Sequence, residues 1–153
     1  MITVLAVGKI KENFLAQGLA EYQKRLSRFT KLSLVEVTDE YCDVNEEAAL
    51  AREGERLLKK IPPGAYVITL EIGGNRLSSP AFAEKLNRLF TEGNSHICFI
   101  IGGSVGLSAE VRHRADYSLS FSDMTFPHQL FRLLLLEQIY RAFKINSNET
   151  YHK

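Results

Sequence analysis

The chain alternates between two hydrophobic periods from its first residues to its last, and that alternation limits the folds open to it. Residues 2–7 are a β-rich apolar run that stops at Gly8, and residues 13–29 then repeat Leu15, Leu19, Tyr22, Leu26 and Phe29 at helical spacing. A second strand is expected at 32–38 and a second helix at 46–61, with Leu50, Leu57, Leu58 and Ile61 facing inward. Glu46 and Glu47 open that helix and Lys59 and Lys60 close it, which suits the helix dipole, and Pro62-Pro63-Gly64 stops it. A third strand at 65–71 runs into a Gly73-Gly74-Asn75 turn. Ser79 then offers a capping hydroxyl and Pro80 a first helical residue, with Phe82, Leu86, Leu89 and Phe90 as the buried face up to Gly93. Residues 96–101 are apolar almost without a break, the pattern of a strand covered on both faces. A glycine-rich turn at 102–106, a short helix from Ser108, a fifth strand at 117–121 and a long helix from Pro127 to the neighbourhood of Lys144 complete the series, with 146–153 as a tail. Strands alternating with helices of this length predict βαβ units. The expected fold class is α/β, a parallel sheet with helices on both faces, in one domain over residues 1–153.

Composition narrows the function. Of 153 residues 45% are hydrophobic and 24% charged, which argues against disorder. The net charge of +1 excludes a strongly basic nucleic-acid wrapper and leaves room for a local basic face. Cys42 and Cys98 are too few and too far apart for a disulfide framework or a zinc site, and read as buried inert thiols. His96, His113, His128 and His152 show no metal-ligand spacing, so no metal is expected. The opening lacks a basic n-region, and the most apolar later stretch, 130–143, is broken by Arg132, Glu137 and Arg141. Neither suits a signal peptide or a bilayer span, so a reduced, cytoplasmic protein with no membrane partner is the expectation.

In an open α/β sheet, ligands bind beyond the carboxyl ends of the strands. Three such ends carry unusual residues: Leu70-Glu71-Ile72-Gly73-Gly74, Ile101-Gly102-Gly103-Ser104-Val105-Gly106, and Phe121-Ser122-Asp123-Met124-Thr125-Phe126-Pro127. Glycine at the first two would admit a ligand against the main chain. The 102–106 segment is neither G-x-G-x-x-G nor a phosphate loop, and it follows the fourth strand instead of the first, which weakens a nicotinamide or flavin enzyme.

Four separated stretches then match one family in order. They are Ile100-Ile101-Gly102-Gly103-Ser104-Val105-Gly106-Leu107; Leu119-Ser120-Phe121-Ser122-Asp123-Met124-Thr125-Phe126-Pro127-His128; Glu137-Gln138-Ile139-Tyr140-Arg141-Ala142-Phe143-Lys144-Ile145; and the closing Tyr151-His152-Lys153. Over essentially its whole length the chain resembles the RlmH type of SPOUT methyltransferases, which methylate N3 of a pseudouridine in large-subunit (23S) ribosomal RNA. The resemblance implies a homodimer and a C-terminal trefoil knot, although connection rules count strongly against a knot. It implies S-adenosyl-L-methionine as cofactor, bound by Leu70, Gly102, Phe121, Ser122, Asp123, Met124, Thr125 and Phe126, with Glu71 and Ile72 beside them. These are the same three strand ends. Leu70, Ile101, Leu119 and Phe126 can supply an apolar slot for adenine, and Gly102 would admit the ribose or methionine portion.

The resemblance also turns otherwise ordinary residues into active-site residues. Alone, His128 reads as a helix-start residue, Arg141 as a dipole partner, and Tyr151 and His152 as a frayed tail. Within the family, His128 takes a cofactor-side or substrate-side role and Arg141 meets RNA phosphate or a uracil carbonyl. Tyr151 and His152 then belong to a substrate-ordered tail near the partner subunit's cofactor, where they hold the base or take its imide proton. Lys9, Lys11, Lys24, Arg25, Arg28 and Lys31, with Arg112 and Arg114, could form an RNA-binding face or a plain solvated surface. Near-neutral charge predicts weak binding to naked RNA and points to ribosomal RNA within an assembled particle. The rival from another class is a non-catalytic nucleotide- or ribosome-binding module on the same fold. The apolar positions of the last helix (Leu130, Leu133, Leu134, Leu136, Ile139, Phe143) suit a dimer interface or a core equally.

Overall fold

The computed structural model describes residues 1–41 and 45–153, so Cys42 lies outside the described residues. Its elements are β1 (Ile2–Val7), α1 (Asn13–Leu26), β2 (Leu32–Val37), α2 (Glu46–Lys60), β3 (Tyr66–Arg76), α3 (Ser79–Thr91), β4 (Ile97–Ile101), α4 (Ala109–Arg114), β5 (Tyr117–Ser120) and α5 (His128–Asn146). The strands lie in the order β2-β1-β4-β3-β5, and every neighbouring pair is parallel. The α/β expectation is met.

Period-two alternation along the strands divides the core in two. Ile2, Val4 and Ala6 of β1 and Ile97, Phe99 and Ile101 of β4 pack with Leu19, Phe82, Leu86, Leu135 and Ile139, under α1, α3 and α5. Leu5, Val7, Cys98 and Ile100 face the other way, onto Leu57 of α2 and Val111 of α4. Burial of Cys98 pushes its thiol up to about 12, which makes it the inert residue expected. After β3 the chain leaves for the α3 face, and after β4 for the α4 face. These strands are neighbours, so their carboxyl ends gape, and a crevice forms there.

Several local readings change. The Gly73-Gly74-Asn75 segment is not a terminal turn: β3 continues to Arg76. Leu70 and Asn75 both lie opposite Leu119 of β5, so the four residues between them are looped out of the ladder. Gly74 permits this, since a Cβ there would sit 2.8 Å from the Leu119 backbone carbon. The helix-capping hydroxyl belongs to Ser78, which accepts from the Ala81 amide at 3.2 Å, whereas Ser79 donates to Gln138 Oε1 at 2.6 Å. Helix α1 stops at Leu26, and Phe29 beyond it stacks on Phe143 at 5.4 Å. The tail is docked: Glu149 takes both Arg28 and Lys144, and Tyr151 packs edge-on to Tyr140 at 5.0 Å.

One charged residue of the apolar last helix is interior. Arg132 is 4% exposed; it donates to Glu36 Oε1 at 2.9 Å and to the Val7 and Gly8 carbonyls at 2.7 and 2.8 Å. It ties α5 to the carboxyl ends of β1 and β2. Replacing Arg132 by Met leaves those acceptors without their donor, and we expect urea denaturation to show a loss of about 3 kcal/mol.

Candidate active site

The three strand ends singled out in the sequence converge on one cavity of about 510 Å³. Leu70, Ile101, Leu107, Phe121, Phe126 and Phe131 give it apolar walls, and the glycine loop after β4 supplies a wall of bare backbone. The aromatic side is built as a unit: Phe131 meets Phe121 edge-on at 4.8 Å and stacks with Phe126 at 5.8 Å. Loop 121–126 is braced internally, because Ser122 Oγ accepts from the Met124 amide at 2.9 Å and Ser120 Oγ donates to the Ser122 carbonyl at 3.2 Å. Such walls, with main-chain groups at the edge, suit a flat heteroaromatic base.

Of the residues implied as cofactor ligands, Leu70, Gly102, Phe121, Ser122, Met124, Thr125 and Phe126 line this cavity, as do Glu71 and Ile72. Asp123 is on the same loop but does not line it; its carboxylate pairs with Arg76, tying the loop to the end of β3. Leu119 faces a second, smaller cavity of about 220 Å³. Gly102, which lines the cavity, has a reason to be glycine besides close ligand approach. A Cβ there would lie 2.5 Å from the Gly106 carbonyl oxygen, so the missing side chain makes room for the loop's own return, which the Gly106 amide closes on the Gly103 carbonyl at 3.1 Å.

His128 opens α5 and faces the cavity beside Phe131. Burial first, then the Arg132 charge, lowers its pKa below the usual histidine range. Arg141, Tyr151 and His152 form a separate cluster. Glu137 Oε1 accepts from Arg141 Nε at 3.0 Å, Arg141 Nη2 at 2.6 Å and Tyr151 Oη at 3.2 Å, and Arg141 Nη1 lies 3.2 Å from His152 Nδ1. Burial and the Tyr22 and Glu137 neighbours push the Tyr151 phenol up to about 12. Glu137 lines the smaller cavity, and Phe121 lines both cavities, so the two sites share a wall.

Sequence reasoning missed Glu137, whose spacing of four from Arg141 on one helix was the available signal. It also missed Phe131, three residues after His128. Arg112 was grouped with a basic surface, yet it lines the larger cavity, while Arg114 bonds Asp116 and the Ala65 carbonyl. Among the described residues no group of His, Cys, Asp and Glu could hold a metal ion, and no helix is long and apolar enough to cross a membrane.

A family model described as "Predicted SPOUT methyltransferase" matches residues 1–152. Proteins named ribosomal RNA large subunit methyltransferase H are similar over 99% of both chains: that of Carboxydothermus hydrogenoformans at 54% identity, Ruminiclostridium cellulolyticum at 51% and Acetivibrio thermocellus at 50%. A probable methylase family protein of Haemophilus influenzae shares the fold, with a TM-score of 0.56 at 14% identity over 99% of this chain and 70% of that one.

Two outcomes follow from this geometry. Gly102→Ala should cost about 1–3 kcal/mol of stability in denaturant titrations without ligand, whereas Gly73→Ala, where a Cβ meets open space, should stay within about 0.5 kcal/mol. Because the folded His128 pKa is depressed, its neutral form supports the fold. That support is complete above the unfolded value of roughly 6.5 and is lost as pH falls through the lowered folded value. His96 is shifted the same way, so His128→Gln should flatten part, not all, of the decline in melting temperature on acidification from pH 7.

Proposed function

Because the chain belongs to the SPOUT methyltransferase family, we propose that its larger cavity binds S-adenosyl-L-methionine and that the enzyme methylates N3 of a pseudouridine in large-subunit ribosomal RNA. The convergence of three strand ends on one cavity is the observation that carries this reading. The donor supplies an electrophilic methyl group on a sulfonium. The apolar walls and loop backbone hold its nucleoside, and Gly102 keeps the loop closed around it. The Asp123 carboxylate is paired with Arg76, so its contact with the donor is assigned to its main chain.

Transfer to an imide nitrogen requires alignment, release of the N3 proton to solvent, and stabilisation of the negative charge that builds on the base. Arginine can only donate, so the contact from Arg141 assigns His152 Nδ1 as acceptor and leaves the proton on Nε2. That Nε2–H is available to donate to a uracil carbonyl, stabilising the charged base. Tyr151 remains protonated at neutral pH and holds Glu137. Tyr151 and His152 do not line this chain's own larger cavity. We therefore place them at the cavity of a partner subunit, in a homodimer whose knotted C-terminal segment is implied by the family. His128 closes the cavity from the α5 side.

Arg25 and Arg28 are paired with Glu21 and Glu149, which leaves Lys9, Lys11, Lys24 and Lys31 without ion-pair partners among the described residues. Four lysines on a protein of net charge +1 favour an assembled ribosomal particle in the cytoplasm as substrate over naked RNA.

Calorimetric titration tests the cofactor: S-adenosylmethionine and S-adenosylhomocysteine should stabilise the protein, NAD and FMN should not. Deleting residues 151–153 should abolish methyl transfer to ribosomes, read by mass spectrometry of the RNA, while donor affinity stays within about twofold. Full activity of the truncated enzyme would refute the role given to the tail.

A further inference from the structure

The larger cavity holds one ion pair that the reading above does not use. Glu71 lies in the looped-out segment of β3, and its carboxylate is held from three sides. Ser118 Oγ donates to Oε2 at 2.6 Å, Thr69 Oγ1 donates to the same oxygen at 3.1 Å, and Arg112 Nε meets Oε1 at 2.6 Å. The Glu71 side chain is only 18% exposed, whereas that of Arg112, rising from α4 on the far side of the glycine loop, is 58% exposed. The guanidinium thus reaches across the cavity from α4 to β3 and passes over the loop, with Nη2 lying 3.9 Å from where a Gly106 Cβ would be.

With Arg112 largely in solvent the pair adds little stability, while the two hydroxyl donors satisfy a carboxylate that is mostly out of water and fix its position. What this arrangement does accomplish is orientation. With Nε bound, Arg112 keeps both Nη groups, which have no partner among the described residues, in a plane fixed by an immobilised anchor. That edge of a guanidinium matches two oxygens of a carboxylate. It lines the cavity next to the glycine loop.

We propose that Arg112, oriented by Glu71, is the binding residue for the α-carboxylate of the methyl donor's amino-acid portion. This rests on the larger cavity being the donor site. Glu71 is a positioning residue: it touches Arg112, not the ligand, and its negative charge offsets the guanidinium that would otherwise face the donor's sulfonium.

The test is a thermodynamic cycle read by calorimetry on the full chain, with S-adenosylmethionine and decarboxylated S-adenosylmethionine, which differ only in the carboxylate. The wild-type protein should prefer the intact donor by about ten- to hundredfold. Arg112→Ala should erase that preference by weakening intact donor alone, Arg112→Lys should keep only part of it, and Glu71→Gln should reduce it with the same selectivity. Circular dichroism melts check that each variant is folded. Equal weakening of both compounds by Arg112→Ala overturns the proposal. So does a change confined to the KM for ribosomes and its salt dependence, which would assign Arg112 to RNA phosphate. If the wild-type protein binds neither compound, the donor reading of the cavity fails, and this subsite with it.

Discussion

Arg132 is a cation removed almost entirely from water, tolerable only because Glu36 and the Val7 and Gly8 carbonyls surround it. The rest of the site depends on that strut. It fixes the start of α5 over the ends of β1 and β2, and so sets where His128 and Phe131 stand against the cavity. Five and nine residues further along the same helix, Glu137 and Arg141 receive the tail. A shift of α5 would therefore disturb both clusters together, which is why an arginine in an otherwise apolar helix matters more than its single charge suggests.

The cavity itself is a consequence of topology. Neighbouring strands that send their chains to opposite faces cannot close their carboxyl ends against each other. The sequence enlarges this opening by two backbone devices: a four-residue excursion from β3 and a loop after β4 folded so tightly that Gly102 must lack a side chain. Neither device has catalytic chemistry of its own. They set the shape into which a few side chains project.

Much of this was legible in the sequence because it is local. Among the described residues, periodicity and turn signals located the ten elements, though not the ends of α1 and β3, and the rule for strand ends selected the segments that line the cavity. What escaped was decided by distant partners. Gly73 and Gly74 look like a turn until β5, more than forty residues later, takes up Asn75 and Arg76 again. Ser78 and Ser79 are equivalent hydroxyls until Gln138 claims one of them. Arg112 and Arg114 are two residues apart on a short helix, yet one meets Glu71 at the cavity and the other meets the Ala65 carbonyl. The roles of Tyr151 and His152 came from family resemblance, since nothing in a short polar tail announces that it will dock.

Phe121 lines both cavities, and its ring is held edge-on against Phe131. Because one side chain borders both, a substitution at Phe121 changes the lining of the two cavities at once.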